Sequence, residues 1–264
     1  MNYTWRKFQD KFVLYEDDAV LALNKPAGIS VVGDRNETDL ITLAQEEGKN
    51  LFPAHRIDKE TSGAILFART SQAHASLTRQ FNHRTIEKAY LAITRAHGLP
   101  EQGTIDLPLS VGRKKRVRVA AKRTGIIVNK EKNYWSIVPS DVFDTKTYPS
   151  ITVFAKVWED KEHTLLVVKP ITGRRHQIRI HFAWIGHPIA GDPLFEKDRT
   201  TYAGRMLLHS WRIGFDANWS TDNRIELEAV PGEDFWDTLP HNVPHDTLLE
   251  RARVVGQAGS HDNT

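Results

Sequence analysis

At 264 residues, with 40% hydrophobic and 26% charged residues, the chain is long enough to bury a sizeable core and too balanced for global disorder. It contains no cysteine, which excludes a disulfide framework, a thiolate nucleophile and a thiolate metal ligand. No apolar run approaches the roughly 20 residues that cross a bilayer, and Met1-Asn2-Tyr3-Thr4-Trp5-Arg6-Lys7 lacks the apolar core of a secretory signal. The expected setting is therefore the reducing cytoplasm, away from membranes.

In chain order, Val20–Leu23 reads as a strand ending in the turn Asn24-Lys25-Pro26-Ala27-Gly28. Asp39–Glu47 reads as a short helix stopped by Gly48. Ala64–Ala68, apolar and bounded by Gly63, suits a buried strand. Ser71–Phe81 reads as a helix capped by Ser71, with Ala75, Leu77 and Phe81 on its inner face. Lys88–Thr94 alternates with the period of a strand. Ile151–Val157 and Leu165–Val168 are further strands, and Arg175–Ile185 is a helix with Ile178, Phe182 and Ile185 on one face and Arg179 turned elsewhere. Met206–Leu208 and Ile225–Val230 close the series. Thr247–Val255 forms a short helix, and Gln257–Thr264 is a disordered end. Many strands and few helices imply an α+β class with a mixed, mostly antiparallel sheet. No repeat and no Ser/Gly-rich linker divides the chain.

The net charge of +3 and pI near 9.0 lean toward a polyanionic partner. Arg113, Lys114, Lys115, Arg116, Arg118, Lys122 and Arg123 lie together with no acidic residue among them. Such a run can follow a phosphate backbone, and it can equally be a solvated basic hairpin. Two polar segments carry the candidate chemistry. His55-Arg56-Ile57-Asp58-Lys59-Glu60-Thr61-Ser62-Gly63 crowds charge directly before an apolar strand, where groups that lose solvation need partners or a task. In extended geometry Arg56 and Asp58 share a side. Gly173-Arg174-Arg175-His176-Gln177-Ile178-Arg179-Ile180-His181 supplies guanidinium groups able to grip a carboxylate or phosphate bidentately. Taken singly, each of these residues reads equally well as a surface ion pair, a turn residue or a structural histidine.

Together, and in order, the segments resemble the RluA-type family of RNA pseudouridine synthases. His55–Gly63 is similar to a family pattern approximating H-R-L-D-R-x-T-S-G, and Gly173–His181 to one approximating G-R-T-H-Q-I-R-V-H. Gly186-His187-Pro188-Ile189-Ala190-Gly191-Asp192-Pro193-Leu194-Phe195 continues the second. Leu23–Gly28, Lys88–Ala92 and Arg205–Ser210 match three further motifs, so the resemblance runs from about Asp17 to Phe215. Departures are Ile57, Lys59, Arg175 and Ile180, of which only Arg175 changes character.

The resemblance implies an isomerase that cuts the uridine N1–C1′ bond, turns the uracil and rejoins it through C5. It makes Asp58 the carboxylate facing the ribosyl centre, as in glycoside cleavage. Arg179 is the guanidinium implied beside it, offsetting the cost of a buried charge. Tyr90 is implied to stack on the uracil and help remove the C5 proton. Arg56 fills the gap left by the flipped nucleotide, with His55, Leu208 and Lys25 as further substrate-side residues. Arg113, Lys114, Lys115, Arg116, Arg118, Arg174 and Arg175 are the expected RNA contacts. The expected partner is structured RNA, a tRNA or rRNA stem-loop, met by a monomer. Neither a cofactor nor a metal is required.

By the same resemblance, residues 1–16 are an extension, 17–240 the synthase domain, and 241–264 a partly disordered tail. The first motif begins too early to leave room for an S4-type module before it. Two rivals stand beside this reading: a catalytically silent RNA-binding protein on the same fold, and a metal hydrolase built from His176, His181, His187 and Asp192. The spacing of five between His176 and His181 aligns poorly on a helix.

Overall fold

A computed structural model describes residues 4–33, 38–113, 116–196, 204–220, 223–239 and 243–258. Lys114 and Lys115 of the basic run, and 259–264 of the expected disordered end, lie outside the described residues. The fold is α+β, mostly antiparallel, with six α-helices among the described residues. Its contacts divide into two units, Met1–Tyr90 with Leu208–Gly232, and Leu91–Leu207 with Glu233–Thr264.

The first unit orders four strands as β1 (Val13–Glu16), β2 (Val20–Lys25), β4 (Ser62–Ala68) and β14 (Leu208–Asp216). The short β3 (Phe52–Pro53) pairs with β4, and β15 (Arg224–Glu228) with β14. β2 and β4 read as continuous apolar runs because both of their faces are covered. Val20, Ala22, Ala64, Leu66 and Ala68 face one cluster with Ala73 and Leu77 of α3 (Ser71–His83). Leu21, Leu23, Ile65 and Phe67 face the other, with residues of α1 (Trp5–Phe12) and α2 (Leu40–Glu46). The N-terminal residues set apart by sequence as an extension thus bury Trp5 and Phe8 in this core, and β1 pairs with β2.

Local chemistry corrects several boundaries. The α3 cap is Thr70, whose hydroxyl accepts from Ala73 N at 3.1 Å, one residue before the expected Ser71. Its buried positions are Ala73, Leu77 and Gln80, spaced i, i+4, i+7, while Ala75 is exposed. Ala75 and Leu77, two apart, cannot share a helical face. Gly63 does not bound β4 but lies inside it, at φ +106°, because β14 runs parallel to it there with Ser210 opposite Gly63. β14 itself begins at Leu208 and extends well past the expected Met206–Leu208 segment.

The second unit orders β13 (His163–Pro170), β12 (Ile151–Glu159), β6 (Gln102–Asp106), β10 (Tyr134–Ile137) and β9 (Ile126–Asn129), with only β6 and β10 parallel in this series. A separate three-stranded sheet joins β11 (Thr147–Tyr148), β7 (Leu109–Val111) and β8 (Val117–Val119). β5 (Glu87–Arg95) contributes Glu87–Tyr90 to the first unit and Leu91–Arg95 to the second. Helix α4 spans Gln177–Trp184, two residues later than the spacing predicts, because His176 takes a left-handed φ of 54° and cannot extend it. Every residue from Gln177 to Ala183 is buried, so α4 is a core helix and Arg179 does not turn to solvent. After α5 (Glu233–Trp236), α6 (His245–Ala258) packs on β12 and β13, longer at both ends than the Thr247–Val255 stretch expected in the tail.

Candidate active site

In the first unit the site is a loop, residues 55–61, pinned at three points before β4 begins. His55 Nε2 accepts from Leu66 N at 3.1 Å, and its ring stacks on Phe81 at 4.7 Å. Burial, aided by the Lys88 ammonium, lowers the His55 pKa to about 3, so the ring is a neutral acceptor. Ile57 is buried in the core beneath the loop, while Arg56 points out and is exposed. The third pin is Lys59, whose carbonyl accepts from Gly28 N at 2.9 Å and from Lys25 Nζ at 3.0 Å.

Lys25 is fully buried, and its ammonium also donates to the carbonyls of Pro26 and Ile29, both at 2.9 Å. A buried cation needs such compensation. Three carbonyls from two loops therefore converge on it, and its observed contacts fasten the Asp58 loop to the Pro26–Ile29 turn. Downstream, Thr61 N bonds Asp58 O at 3.1 Å, closing the turn that presents the carboxylate.

Tyr90 stands within the electrostatic reach of Asp58. Burial first, and then the Asp58 charge, push its hydroxyl up to about 12, against the opposing hydrogen bond from Ser210. Ser210 is held in turn by the β4–β14 register. Beside it His209 Nε2 donates to Ala229 O at 2.8 Å, leaving Nδ1 to accept from the Ser62 hydroxyl at 2.7 Å. Leu208 opens β14 and is buried. The first unit thus gathers Asp58, Tyr90 and their supports, and it adds Ser210, which the sequence showed only as part of a motif without a role.

The second unit holds Arg179, 3% exposed. Its Nε donates to Asp192 Oδ2 at 2.7 Å and its Nη2 to Asp192 Oδ1 at 2.8 Å, a bidentate fork. The Phe195 ring lies 5.5 Å from the guanidinium carbon. Asp192, in sequence a motif residue without a role and a rival metal ligand, has this other task in the structure. The rest of that rival set is not assembled. His181 Nε2 donates to Leu107 O at 3.0 Å and its Nδ1 meets the Thr152 hydroxyl at 2.9 Å. Among the described residues no group of three or more His, Cys, Asp or Glu is arranged to hold a metal ion.

The same unit carries the basic face. Arg113 and Arg116 lie at the β7–β8 turn and are exposed, as is Arg118 on β8. Arg118 lies over Phe143 at 5.5 Å, and Arg123 lies over Trp184 at 5.5 Å and donates to Ala183 O. β11 pairs with β7 and places Tyr148 under two cations, Arg174 at 5.3 Å and Lys146 at 5.6 Å. Arginines of two segments far apart in sequence are therefore tied to one small sheet, Arg118 on β8 and Arg174 through Tyr148 on β11. Lys146 and Tyr148 were not legible as members of it. Arg175 is exposed in the turn before α4.

No helix among the described residues is long and apolar enough to cross a membrane. Residues 19–184 match the family described as RNA pseudouridylate synthase. The chain is 33% identical over 216 residues to tRNA pseudouridine synthase C of Pasteurella multocida, covering 77% of this chain and 84% of that protein. It is 33% identical over 204 residues to the dual-specificity RNA pseudouridine synthase RluA of Escherichia coli K12, covering 75% and 83%. The solved structure of human RNA pseudouridylate synthase domain containing 4 matches it with a TM-score of 0.68 at 21% identity, over 94% of this chain and 95% of that one, which speaks for the fold. The motif order, the fold and these likenesses agree: the chain belongs to the RluA-type family of RNA pseudouridine synthases.

Proposed function

We propose that the chain isomerises uridines in a stem-loop of tRNA, rRNA or both, working as a cytoplasmic monomer with Asp58 as the catalytic carboxylate. The observation that carries this reading is the Asp58 loop, fastened by Lys25, His55 and Ile57 and bearing a carboxylate whose charge reaches the Tyr90 hydroxyl. Asp58 supports or captures the ribosyl centre as N1–C1′ breaks. C5 of the turned uracil then bonds C1′, the C5 proton leaves, and N1 takes up a proton. Arg179 is the guanidinium that the family resemblance assigns to this carboxylate.

A phenol held at about 12 is protonated at neutral pH. Tyr90 can take the C5 proton only as the phenolate, the form that the hydrogen bond from Ser210 favours, once its own proton has passed to solvent. Its ring offers the uracil a stacking partner, while exposed Arg56 is placed to occupy the vacated stack. Leu208 supplies an apolar wall. The names of the relatives, one acting on tRNA and one of dual specificity, support the substrate class. The exposed cations Arg113, Arg116, Arg118, Arg123, Arg174 and Arg175 support an RNA footprint, as phosphate contacts demand.

The test is tritium release from [5-³H]uridine-labelled total RNA of a strain lacking this gene. Wild type is expected to release tritium and Asp58→Ala none. A folded wild type that releases nothing from tRNA or rRNA overturns the proposal.

A further inference from the structure

The segment Gly191–Glu196 presents to Arg179 both its carboxylate and its ring, so whatever fixes this segment fixes the guanidinium. Within the segment, Asp192 Oδ1 also accepts from Leu194 N at 2.8 Å and Phe195 N at 3.1 Å, and Glu196 N bonds Asp192 O at 3.2 Å. Phe195 meets the His176 ring edge-on at 6.2 Å, and a second anchor to the rest of the unit is the Glu196 side chain, with the residue 5% exposed. One oxygen of that carboxylate accepts from Gly191 N at 2.6 Å, next to Asp192 in the chain. The other accepts from Arg95 Nε at 2.6 Å, at the end of β5. Arg95 Nη1 in turn donates to His163 Nε2 at 3.1 Å, and its backbone N bonds Pro188 O at 2.8 Å. An arginine can only donate, so His163 must offer this nitrogen unprotonated.

From this chain of contacts we infer that the partly buried Glu196–Arg95–His163 relay is a positioning device for the reaction, holding Asp192 and Phe195 so that the Arg179 guanidinium stands in one orientation. The inference rests on the proposed role of Arg179. None of the three residues touches substrate: Glu196 acts through Gly191 and Asp192, Arg95 through Glu196, and His163 through Arg95. A guanidinium turned by a fraction of an ångström still binds RNA but meets the developing charge badly, so the relay bears on turnover and not on affinity.

The experiment measures kcat and KM for tritium release with wild type, Asp58→Ala, Glu196→Gln and the double variant Glu196→Gln/Arg95→Gln, alongside urea unfolding of each. Glu196→Gln leaves the partly buried Arg95 against a neutral partner, which destabilises the fold, whereas removing both charges relieves that penalty. The expected result is kcat lowered by roughly 10- to 100-fold in both relay variants, with KM within about twofold of wild type. The double variant should regain stability without regaining rate. A double variant that recovers both stability and kcat overturns the inference, because the pair then matters only to folding. So does a loss confined to KM, or a Glu196→Gln enzyme of wild-type rate. Absence of Asp58-dependent release by wild type is a different failure, since it removes the proposed function and the inference with it.

Discussion

Gly63→Ala tests the link between backbone geometry and the site. Gly63 sits at φ +106°, and a Cβ built there would collide with Ser210 O and lie 2.6 Å from Ser210 N. Both obstacles are backbone atoms of the paired strand β14, so no rotamer can relieve them. Two costs add: about 1–3 kcal/mol for holding a non-glycine residue in a sparsely populated backbone region, and about 1–3 kcal/mol for overpacking. The expected loss is about 2–6 kcal/mol, a large part of the roughly 5–15 kcal/mol that domains usually possess. Gly28→Ala separates the two terms, since Gly28 is also left-handed at φ +86° but has nothing within 4 Å of its would-be Cβ. It should lose only the backbone part. Urea unfolding followed by tryptophan fluorescence reads both, because Trp211 follows Ser210 and is fully buried. The folded fraction of Gly63→Ala should also be slow in tritium release, because Ser210 carries the hydrogen bond to Tyr90. A Gly63→Ala protein within about 1 kcal/mol of wild type, or no less stable than Gly28→Ala, refutes the close-approach argument.

Two further outcomes follow from charge. His55 and His181 are held neutral by burial down to about 3 and about 4, whereas in the unfolded chain each titrates near 6.5. Between pH 6.5 and 4 the unfolded state binds the extra protons, so stability present above 6.5 falls with acidification by up to about 1.4 kcal/mol per pH unit for each histidine. His55→Gln should flatten that slope by one proton's worth in urea titrations at stepped pH; an unchanged slope removes His55 from the account. On the basic face, Arg118→Ala and Arg174→Ala should each weaken binding of a tRNA transcript. Each should lower the slope of log K against log salt by about 0.7–0.9 in filter binding, whatever the sequence. Wild-type slopes in both would take the small sheet out of the RNA footprint.

What the sequence disclosed and what it hid divide along the range of the interactions concerned. The strands β2 and β4 were legible because burial on both faces writes an unbroken apolar run, whereas Asp58 stood out only through the motif that surrounds it. The left-handed turn at His176 left no such mark, nor did the parallel approach of β14, so the start of α4 and the place of Gly63 emerge only in the folded chain. On α3 the difficulty was of another kind. Thr70 and Ser71 are both good caps, and moving the cap by one residue changes no buried position. Hydrophobicity alone groups Ala75 with Leu77, but periodicity decides the face, and Ala73, Leu77 and Gln80 obey it.

The site shows the same division more sharply. Lys25 looks like an ordinary turn lysine in sequence, because nothing local reveals that carbonyls of Pro26, Ile29 and Lys59 will close over it. By periodicity Arg179 reads as turned away from the packed face of its helix until Asp192, thirteen positions on, is seen to grip it. Glu196, Arg95 and His163 carry no motif at all, since their meaning lies wholly in meeting one another across β5, β13 and the Gly191–Glu196 segment. Residues that touch the reacting atoms answer to the chemistry of the reaction, and a pattern of residue types can display that chemistry. Residues that hold those groups in place answer only to geometry, which many residue types satisfy in different ways. It follows that substitutions among the supports of Asp58 and Arg179, more than among the reacting groups themselves, should separate turnover from binding.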